Sequence, residues 1–188
     1  MRTLSCQQKN DVISEVAERM QALAREGVAT KRGCLYSAAF VAIAVASRGE
    51  RAILQAGSAS WPFKAPERDD GIGPTHYGYE FNLRDPLSAA CLMNGRLPEI
   101  HCWAAIPASG ELIDLTTGHQ PALMRVVLPG EEWSDAPLPS YFWGKAGALP
   151  ARWRYAPNAQ AIQIALDFLR HGRPDVYRKL HQRALVAT

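Results

Sequence analysis

The sequence lacks the features that mark secreted and membrane-spanning proteins. Its four cysteines, at positions 6, 34, 91 and 102, show no disulfide-framework spacing, and their low density is typical of a reducing cytoplasm. Residues 1–10 contain neither the apolar segment nor the small-residue cleavage site of a signal peptide. The longest apolar run, residues 35–46, covers about twelve positions, which is too short to cross a bilayer. We therefore expect a cytoplasmic protein without membrane contact.

The chain also has little excess of either positive or negative charge. The formal net charge is only +3, too small to indicate a nucleic-acid partner or an acidic substrate. The excess is local: residues 170–183 contain five Lys or Arg, two His and a single acid, Asp175. A basic terminal helix can bind nucleic acid or a membrane surface, but the pattern is more often a solvated face. Nucleic-acid binding is the weakest of the functional alternatives.

Paired metal-ligand spacings are missing as well. Cys91, His101 and Cys102 lie close in sequence, but the chain has no C-x-x-C or H-x-x-x-H pair. Adjacent residues on a strand point to opposite faces, so His101 and Cys102 would not bind the same ion. The sequence predicts no structural zinc, and we expect no metal or cofactor.

The apolar pattern predicts a single domain that begins with two different helices. At 188 residues, with 47% hydrophobic and 21% charged residues, the chain can bury a substantial core. Asn10 is predicted to cap an amphipathic helix with apolar positions Ile13, Val16, Met20 and Leu23, ended by Gly27. The second predicted helix, residues 34–47, is apolar on every side and must be buried on every side.

The rest of the chain predicts short strands, turns and two closing helices. The predicted elements are a strand at 51–60, a turn-rich surface loop at 61–75, a short strand at 77–81, a helical turn at 86–94, a strand at 123–128, and helices beginning at Asn158 and Pro174. We expect a core over residues 28–128 and a C-terminal helical extension over 157–186.

A predicted β-hairpin brings an imidazole and a carboxylate together. Residues 100–106 and 111–115 are two short strand-like runs around a four-residue loop that contains Gly110. The turn returns Asp114 to the start of the first strand, where His101 lies. Asp114 can also cap the loop 115–118 through its carboxylate, and the two roles are compatible. The other histidines, at positions 76, 119, 171 and 181, lie in loop or helix contexts.

Cys34 is the candidate nucleophile. It follows Gly33 and lies in the first turn of the buried helix, where free N–H groups and the helix dipole lower a thiol's pKa. The same N–H groups can stabilise an oxyanion. The alternative is a buried, inert thiol, which is the commoner role of a free cysteine. Cys6, Cys91 and Cys102 have no such setting, and we interpret them as inert.

In this order and these contexts the three residues resemble the transglutaminase-like cysteine enzymes. That group includes transglutaminases, related bacterial cysteine peptidases and amidases and, by analogy, arylamine N-acetyltransferases. The matching segments are Arg32-Gly33-Cys34-Leu35, His101-Cys102-Trp103 and Asp114-Leu115-Thr116. The resemblance implies an α+β fold with a papain-like core, in which a buried helix carrying the cysteine packs on an antiparallel sheet. It covers residues 33–117, and nothing after Thr117 matches.

The resemblance implies a Cys34–His101–Asp114 triad that forms a thioester with an acyl substrate. Papain-like peptidases place an oxyanion-hole glutamine before the cysteine, but residues 28–33 contain none. Gln55, Trp61 and Tyr36 are the alternatives left open for that donor. Hydrolysis and acyl transfer also both remain open.

Aromatic residues flank the candidate triad. Trp61, Tyr77, Tyr79 and Trp103, with Phe63 beside them, are predicted to line a groove for a peptide, a protein or a small amide substrate. The alternative for each is an ordinary core position. We therefore expect a cysteine-dependent hydrolase or acyltransferase. The second hypothesis is a catalytically silent protein of the same fold that acts as an interaction module.

Overall fold

The computed structural model describes residues 4–28, 33–62, 76–119, 139–183 and 185. The helices there are α1 (Cys6–Arg25), α2 (Gly33–Ala46), α3 (Pro86–Met93), α4 (Ala159–Gly172) and α5 (Pro174–Gln182). The strands are β1 (Ile53–Pro62), β2 (His76–Tyr79), β3 (His101–Ile106), β4 (Glu111–Asp114), β5 (Phe142–Lys145) and β6 (Arg154–Pro157). The predicted strand at 123–128 and residues 63–75 of the predicted loop lie outside the described residues. The α+β class is confirmed.

The first helix begins a turn earlier than the sequence analysis predicted. Ser5, not Asn10, is its N-cap, and Asn10 lies inside the helix. Ser5 and Gln8 form a reciprocal capping box, which satisfies two backbone donors at once and is stronger than a single cap. The predicted end is confirmed, because Gly27 has φ +72°, a conformation that glycine adopts without strain.

Helix α2 is the buried centre of the domain, as its all-round apolar surface predicts. Every residue from Leu35 to Val45 is buried. The helix packs between α1, α5 and the sheet. Because its first turn faces the beginning of β3, the fold directs Cys34 toward the strand that carries His101.

The sheet is antiparallel throughout, and β1 is its longest strand. Gly57 pairs with both His101 and Pro157, while Ser60 pairs with both Gly78 and Arg154. A strand residue has two edges, so β6 lies along one side of β1. On the other side β3 and β2 follow each other end to end. His101, the first residue of β3, therefore lies at the junction between these two strands.

The sheet also curls. Tyr155 on β6 donates a hydrogen bond to Asp114 on β4 at 2.8 Å, although β1 and β3 lie between those strands. Three strand spacings in a flat sheet would separate them by about 14 Å. Phe142 on β5 and Trp153 before β6 are also in contact, with ring centroids 6.1 Å apart. The curvature closes one face of the sheet over the site.

The two closing helices begin where the sequence predicts. Asn158 caps α4 by accepting from the N–H groups of Gln160 and Ala161, and Pro174 is the first residue of α5. The predicted hairpin of β3 and β4 is present, with Ile106 opposite Glu111. Within the described part of the chain, no helix is long and apolar enough to cross a membrane.

Candidate active site

The hairpin brings His101 and Asp114 into direct contact. The His101 Nε2 atom lies 2.7 Å from Asp114 Oδ2, and the exposed fractions of the two residues are 0% and 2%. Ala104 pairs with Ile113, so Asp114 follows on the same side of β4 as His101 on β3. The contact is therefore a consequence of the hairpin register that the sequence predicts.

Both carboxylate oxygens of Asp114 are occupied. Oδ1 accepts from the Thr116 N–H at 2.9 Å and from the Thr116 hydroxyl at 2.7 Å. Oδ2 accepts from Tyr155 Oη at 2.8 Å in addition to His101. The two roles that the sequence allows for Asp114, turn cap and histidine partner, are present at once. The carboxylate is thereby fixed in position.

The buried pair is stabilised in its charged form. Burial alone would lower the pKa of His101, but the charge and hydrogen bond of Asp114, helped by Cys34, raise that pKa to about 10. Burial would likewise raise the pKa of Asp114, yet the charge of His101 and the hydrogen bonds from His101, Thr116 and Tyr155 lower it. At neutral pH the site therefore holds an imidazolium–carboxylate pair.

The second nitrogen of His101 is free for chemistry. Among the described residues, Nδ1 is buried and has no partner in hydrogen-bond geometry. Because Nε2 is committed to Asp114, Nδ1 is the nitrogen left to exchange a proton with a nucleophile. A buried polar atom without a partner costs free energy, and such atoms in native structures are often functional.

Cys34 lies next to this histidine with its sulfur against the backbone of β3. Its Sγ atom is 4.0 Å from the carbonyl oxygen of Ile100, and the residue is half-buried. A hydrogen bond from the Cys102 thiol lowers the pKa of Cys34 well below its ordinary value. Burial opposes this, and the neighbouring charge of His101 and the Cys102 N–H reinforce it. The structure thus brings all three predicted catalytic residues together.

Four aromatic rings enclose the imidazole. Tyr79 stacks on it with centroids 5.2 Å apart, and Trp103 stacks at 6.2 Å. Trp61 contacts it edge-on at 5.0 Å, and Tyr155 lies at 6.0 Å. The rings hold the histidine in one orientation and exclude water from the ion pair.

Comparison with known proteins does not extend this picture. No protein-family model, no curated protein and no solved structure matches the chain. The function has to be argued from the geometry of the site.

The aromatic residues that were predicted to bind substrate differ in their burial. Trp61 and Trp103 are only 1% and 3% exposed, so they pack around His101 inside the protein. Tyr79 is half-buried and lies on the outer side of the imidazole stack. The side chain of Tyr77 and all of Phe63 lie outside the described parts of the chain. Substrate contact by any of these residues remains a prediction.

Sequence reasoning missed Tyr155. Its hydroxyl donates to Asp114 and accepts from Trp61 Nε1 at 3.3 Å, which links β1, β4 and β6. Close approach of β6 requires Gly57, because a Cβ atom there would lie 2.1 Å from the carbonyl oxygen of Ala156. Tyr155 follows the segment of resemblance, and no local motif marks it. Its contact with Asp114 becomes visible only in the folded structure, where the curl of the sheet brings the two residues together.

In the sequence analysis, Cys102 was interpreted as inert and was not placed near Cys34. It is buried, and its side chain points from β3 toward α2, where it meets Cys34. Strand alternation contains this signal: if His101 points to one face, Cys102 must point to the other, which the apolar helix covers.

The structure excludes two of the three side chains that the sequence analysis named for the second oxyanion donor. The Trp61 indole N–H is already donated to Tyr155, and Tyr36 is buried in the core around α2. Gln55 pairs with Trp103 on β1 and therefore shares the face of His101, and its Oε1 atom is buried without a partner among the described residues. Gln55 and the N–H groups of the first turn of α2 are the remaining candidates.

Proposed function

We propose that this protein is a cysteine-dependent hydrolase or acyltransferase that acts on a peptide, amide or isopeptide bond. The observation that carries the proposal is that the two ring nitrogens of His101 have different surroundings. Nε2 is bound to a buried carboxylate, whereas Nδ1 is free beside a half-buried thiol with a lowered pKa. A residue that served only the fold would not require both nitrogens in these states.

The proposed reaction begins with the Cys34 thiolate. Its sulfur attacks the acyl carbon, and the oxyanion that forms is stabilised by backbone N–H groups at the start of α2. The His101 imidazolium gives its Nδ1 proton to the leaving amine, whose bond to the acyl carbon breaks, and a thioester remains on Cys34. The neutral imidazole then takes a proton from water or from an incoming amine, which attacks the thioester and releases Cys34.

Asp114 acts through His101 in this scheme. Its bond to Nε2 selects the ring orientation that presents Nδ1 to the sulfur, and its charge stabilises the imidazolium. The chain order of cysteine on a buried helix, histidine on one strand and aspartate on the next also supports a transglutaminase-like relation with a papain-like core. A reduced, low-pKa thiol suits the cytoplasm, which we propose as the location.

The first experiment is alkylation by iodoacetamide across pH, with all four cysteines followed by peptide mass mapping. We expect Cys34 to react selectively with an apparent pKa well below the ordinary thiol value of about 8.5. Cys91, a half-buried thiol on α3, is the matched internal control. A Cys34 that reacts no faster than Cys91 would overturn the proposal and favour the interaction module.

A positive result leads to a screen of fluorogenic peptide amides, with and without added primary amine. Hydrolysis releases the fluorophore in buffer alone, whereas a transferase also forms the amine adduct. Cys34→Ala should abolish turnover and, at pH 6.5, leave the unfolding midpoint nearly unchanged, while Cys91→Ala should keep full turnover. Residual turnover in Cys34→Ala would show that another group is the nucleophile.

A further inference from the structure

Cys102 lies directly beside the candidate nucleophile on the side away from the imidazole. It pairs with Ala56 and is buried on the face of the sheet that packs on α2, and its interaction with Cys34 lowers the pKa of Cys34 and raises that of Cys102. The carbonyl oxygen of Ile100 lies 4.0 Å from the Cys34 sulfur. Cys34 therefore rests against the start of β3, on the side where the Cys102 thiol lies.

The two thiols differ in access. Cys34 is half-buried at the start of α2, whereas Cys102 is 1% exposed inside the core. A small oxidant therefore meets Cys34 first, and any product formed on its sulfur is adjacent to Cys102. Cys6 and Cys91 lie on other elements, α1 and α3, and the structure records no contact of either with Cys34 among the described residues.

We propose that Cys102 is the resolving thiol for Cys34, so that a hydroperoxide converts the two into an intramolecular disulfide. The inference rests on Cys34 being a reactive thiolate, as in the proposed function, but not on acyl transfer. It assigns Cys102 a chemical role in addition to packing. It also makes Cys34 a site of reversible oxidation.

The first step oxidises Cys34. Its thiolate sulfur attacks the distal oxygen of the peroxide, the O–O bond breaks, and the sulfur becomes a sulfenic acid. The alkoxide or hydroxide that leaves takes a proton from the His101 imidazolium. The sulfur loses two electrons, and the peroxide gains them.

The second step forms the disulfide. The Cys102 sulfur attacks the sulfenic sulfur, an S–S bond forms and the S–O bond breaks, and the leaving hydroxide takes the Cys102 proton and departs as water. The two sulfurs must approach from hydrogen-bond distance to about 2.05 Å. A dithiol restores both thiols. The disulfide protects Cys34 from the sulfinic acid, which a dithiol does not reduce.

The test is treatment of the reduced protein with a small excess of hydrogen peroxide, followed by non-reducing peptide mass mapping. We expect wild type to lose two hydrogens, to give a linked Cys34–Cys102 peptide pair, and to recover fully in dithiothreitol. Cys102→Ser and Cys102→Ala should instead accumulate sulfinic acid on Cys34. Cys91→Ser is the matched control and should behave as wild type.

Wild type alone decides the question if either Cys102 variant fails to fold. Sulfinic acid on wild-type Cys34 without a disulfide would overturn the resolving role, as would a disulfide to Cys6 or Cys91 or no oxidation of Cys34. Sulfinic acid on Cys34 without a disulfide counts against the resolving role alone, because Cys34 is then still a reactive thiol, whereas no oxidation of Cys34 counts against both proposals. A protein without amidase activity can still form the disulfide, and an active one can lack it.

Discussion

The two faces of the curled sheet bury side chains of opposite character. The face toward α2 is aliphatic, built from residues such as Leu54, Ala104 and Ile113. The other face encloses the charged pair of His101 and Asp114 in aromatic rings. Aliphatic groups gain free energy on burial without any partner, whereas each buried charge costs several kcal/mol unless hydrogen bonds offset it. The aliphatic face therefore stabilises the fold, and the aromatic face holds two of the three residues of the proposed triad.

The candidate nucleophile lies where these faces meet. Cys34 approaches from the helix side, and His101 is the first residue of β3, at the junction with β2. An imidazole further along β3 would be separated from the helix by the sheet itself. The end-to-end arrangement of β2 and β3 along β1 is therefore the feature that brings a helix residue and a residue of the opposite face together.

The largest expected effect comes from removing the charge on the aromatic face. Asp114→Asn should lower kcat/KM roughly 10³–10⁴-fold, as expected when a triad histidine loses its orienting carboxylate. It also leaves a buried imidazolium without its counter-charge, so the free energy of unfolding should fall by about 3–5 kcal/mol. Turnover of a peptide amide and urea denaturation measure the two effects.

The control is Asp167→Asn on the surface of α4, where the carboxylate pairs with Arg170 and both side chains are more than half exposed. Surface pairs contribute little, so both quantities should stay near wild type. Near-normal activity of Asp114→Asn would remove the triad assignment and leave Asp114 as a turn cap alone.

The next largest effect is expected from a substitution on the aliphatic face. Leu54 is fully buried against α2, so Leu54→Ala should lower the free energy of unfolding by about 2–5 kcal/mol. Its side chain is on the face of the sheet opposite to His101 and Asp114, so kcat/KM below the unfolding transition should change little. A loss of activity comparable to that of Asp114→Asn would show that the two faces are not functionally separate.

Much of the aliphatic side is predictable from local sequence. The all-round apolar surface of α2 requires burial, and Gly27, Asn158 and Pro174 mark helix ends through backbone chemistry that operates within a few residues. Asn10 was the wrong cap because a competing box at Ser5 satisfies more donors. The hairpin also follows from its turn, and with it the contact between His101 and Asp114.

The aromatic side is less predictable because it depends on contacts between distant segments. Tyr155 reaches Asp114 only because the sheet curls, and that curvature belongs to all its strands together. The position of Cys102 near Cys34 was missed for a related reason: Cys34 is 68 positions away in sequence, on a helix whose placement the strand pattern alone does not fix. The alternation of side chains along β3 gives the face on which Cys102 lies, but it identifies Cys34 as a neighbour only when the position of α2 against β3 is known.

A smaller effect tests whether Tyr155 positions the pair. Tyr155→Phe keeps the ring but removes the donor to Asp114 and the acceptor of the Trp61 N–H, so unfolding should become about 1–3 kcal/mol easier. The variant loses one hydrogen bond that lowers the pKa of Asp114, so that pKa should rise. The acid limb of the pH profile of kcat should therefore move to higher pH, with KM little changed. Tyr141→Phe at an exposed tyrosine is the control. A stability loss without movement of the acid limb would limit Tyr155 to packing.

The smallest expected effect is a cancellation in the pH dependence of stability. His101 has a pKa of about 10 when folded against 6.5 ordinarily, so its stabilisation is complete below pH 6.5 and is lost as pH rises toward 10. Cys34 has a folded pKa below its ordinary 9.0, so its stabilisation is complete above pH 9.0 and is lost as pH falls. Between these values the native state holds one more proton on His101 than the unfolded chain, and it holds fewer protons on Cys34 down to the lowered pKa of that thiol. The two slopes oppose each other.

Wild-type stability should therefore change less steeply between pH 6.5 and 9.0 than His101 alone would require, and should fall above 9.0, where His101 and Cys102 still hold protons that the unfolded chain has released. Cys34→Ala removes one of the opposing slopes, so its stability should fall with rising pH by up to about 1.4 kcal/mol per unit across the same window. Urea denaturation at half-unit intervals measures both profiles, with Cys91→Ala expected to follow wild type. Parallel profiles for wild type and Cys34→Ala would mean that the thiol is protonated in the native state, and the charge separation between Cys34 and His101 would then be absent.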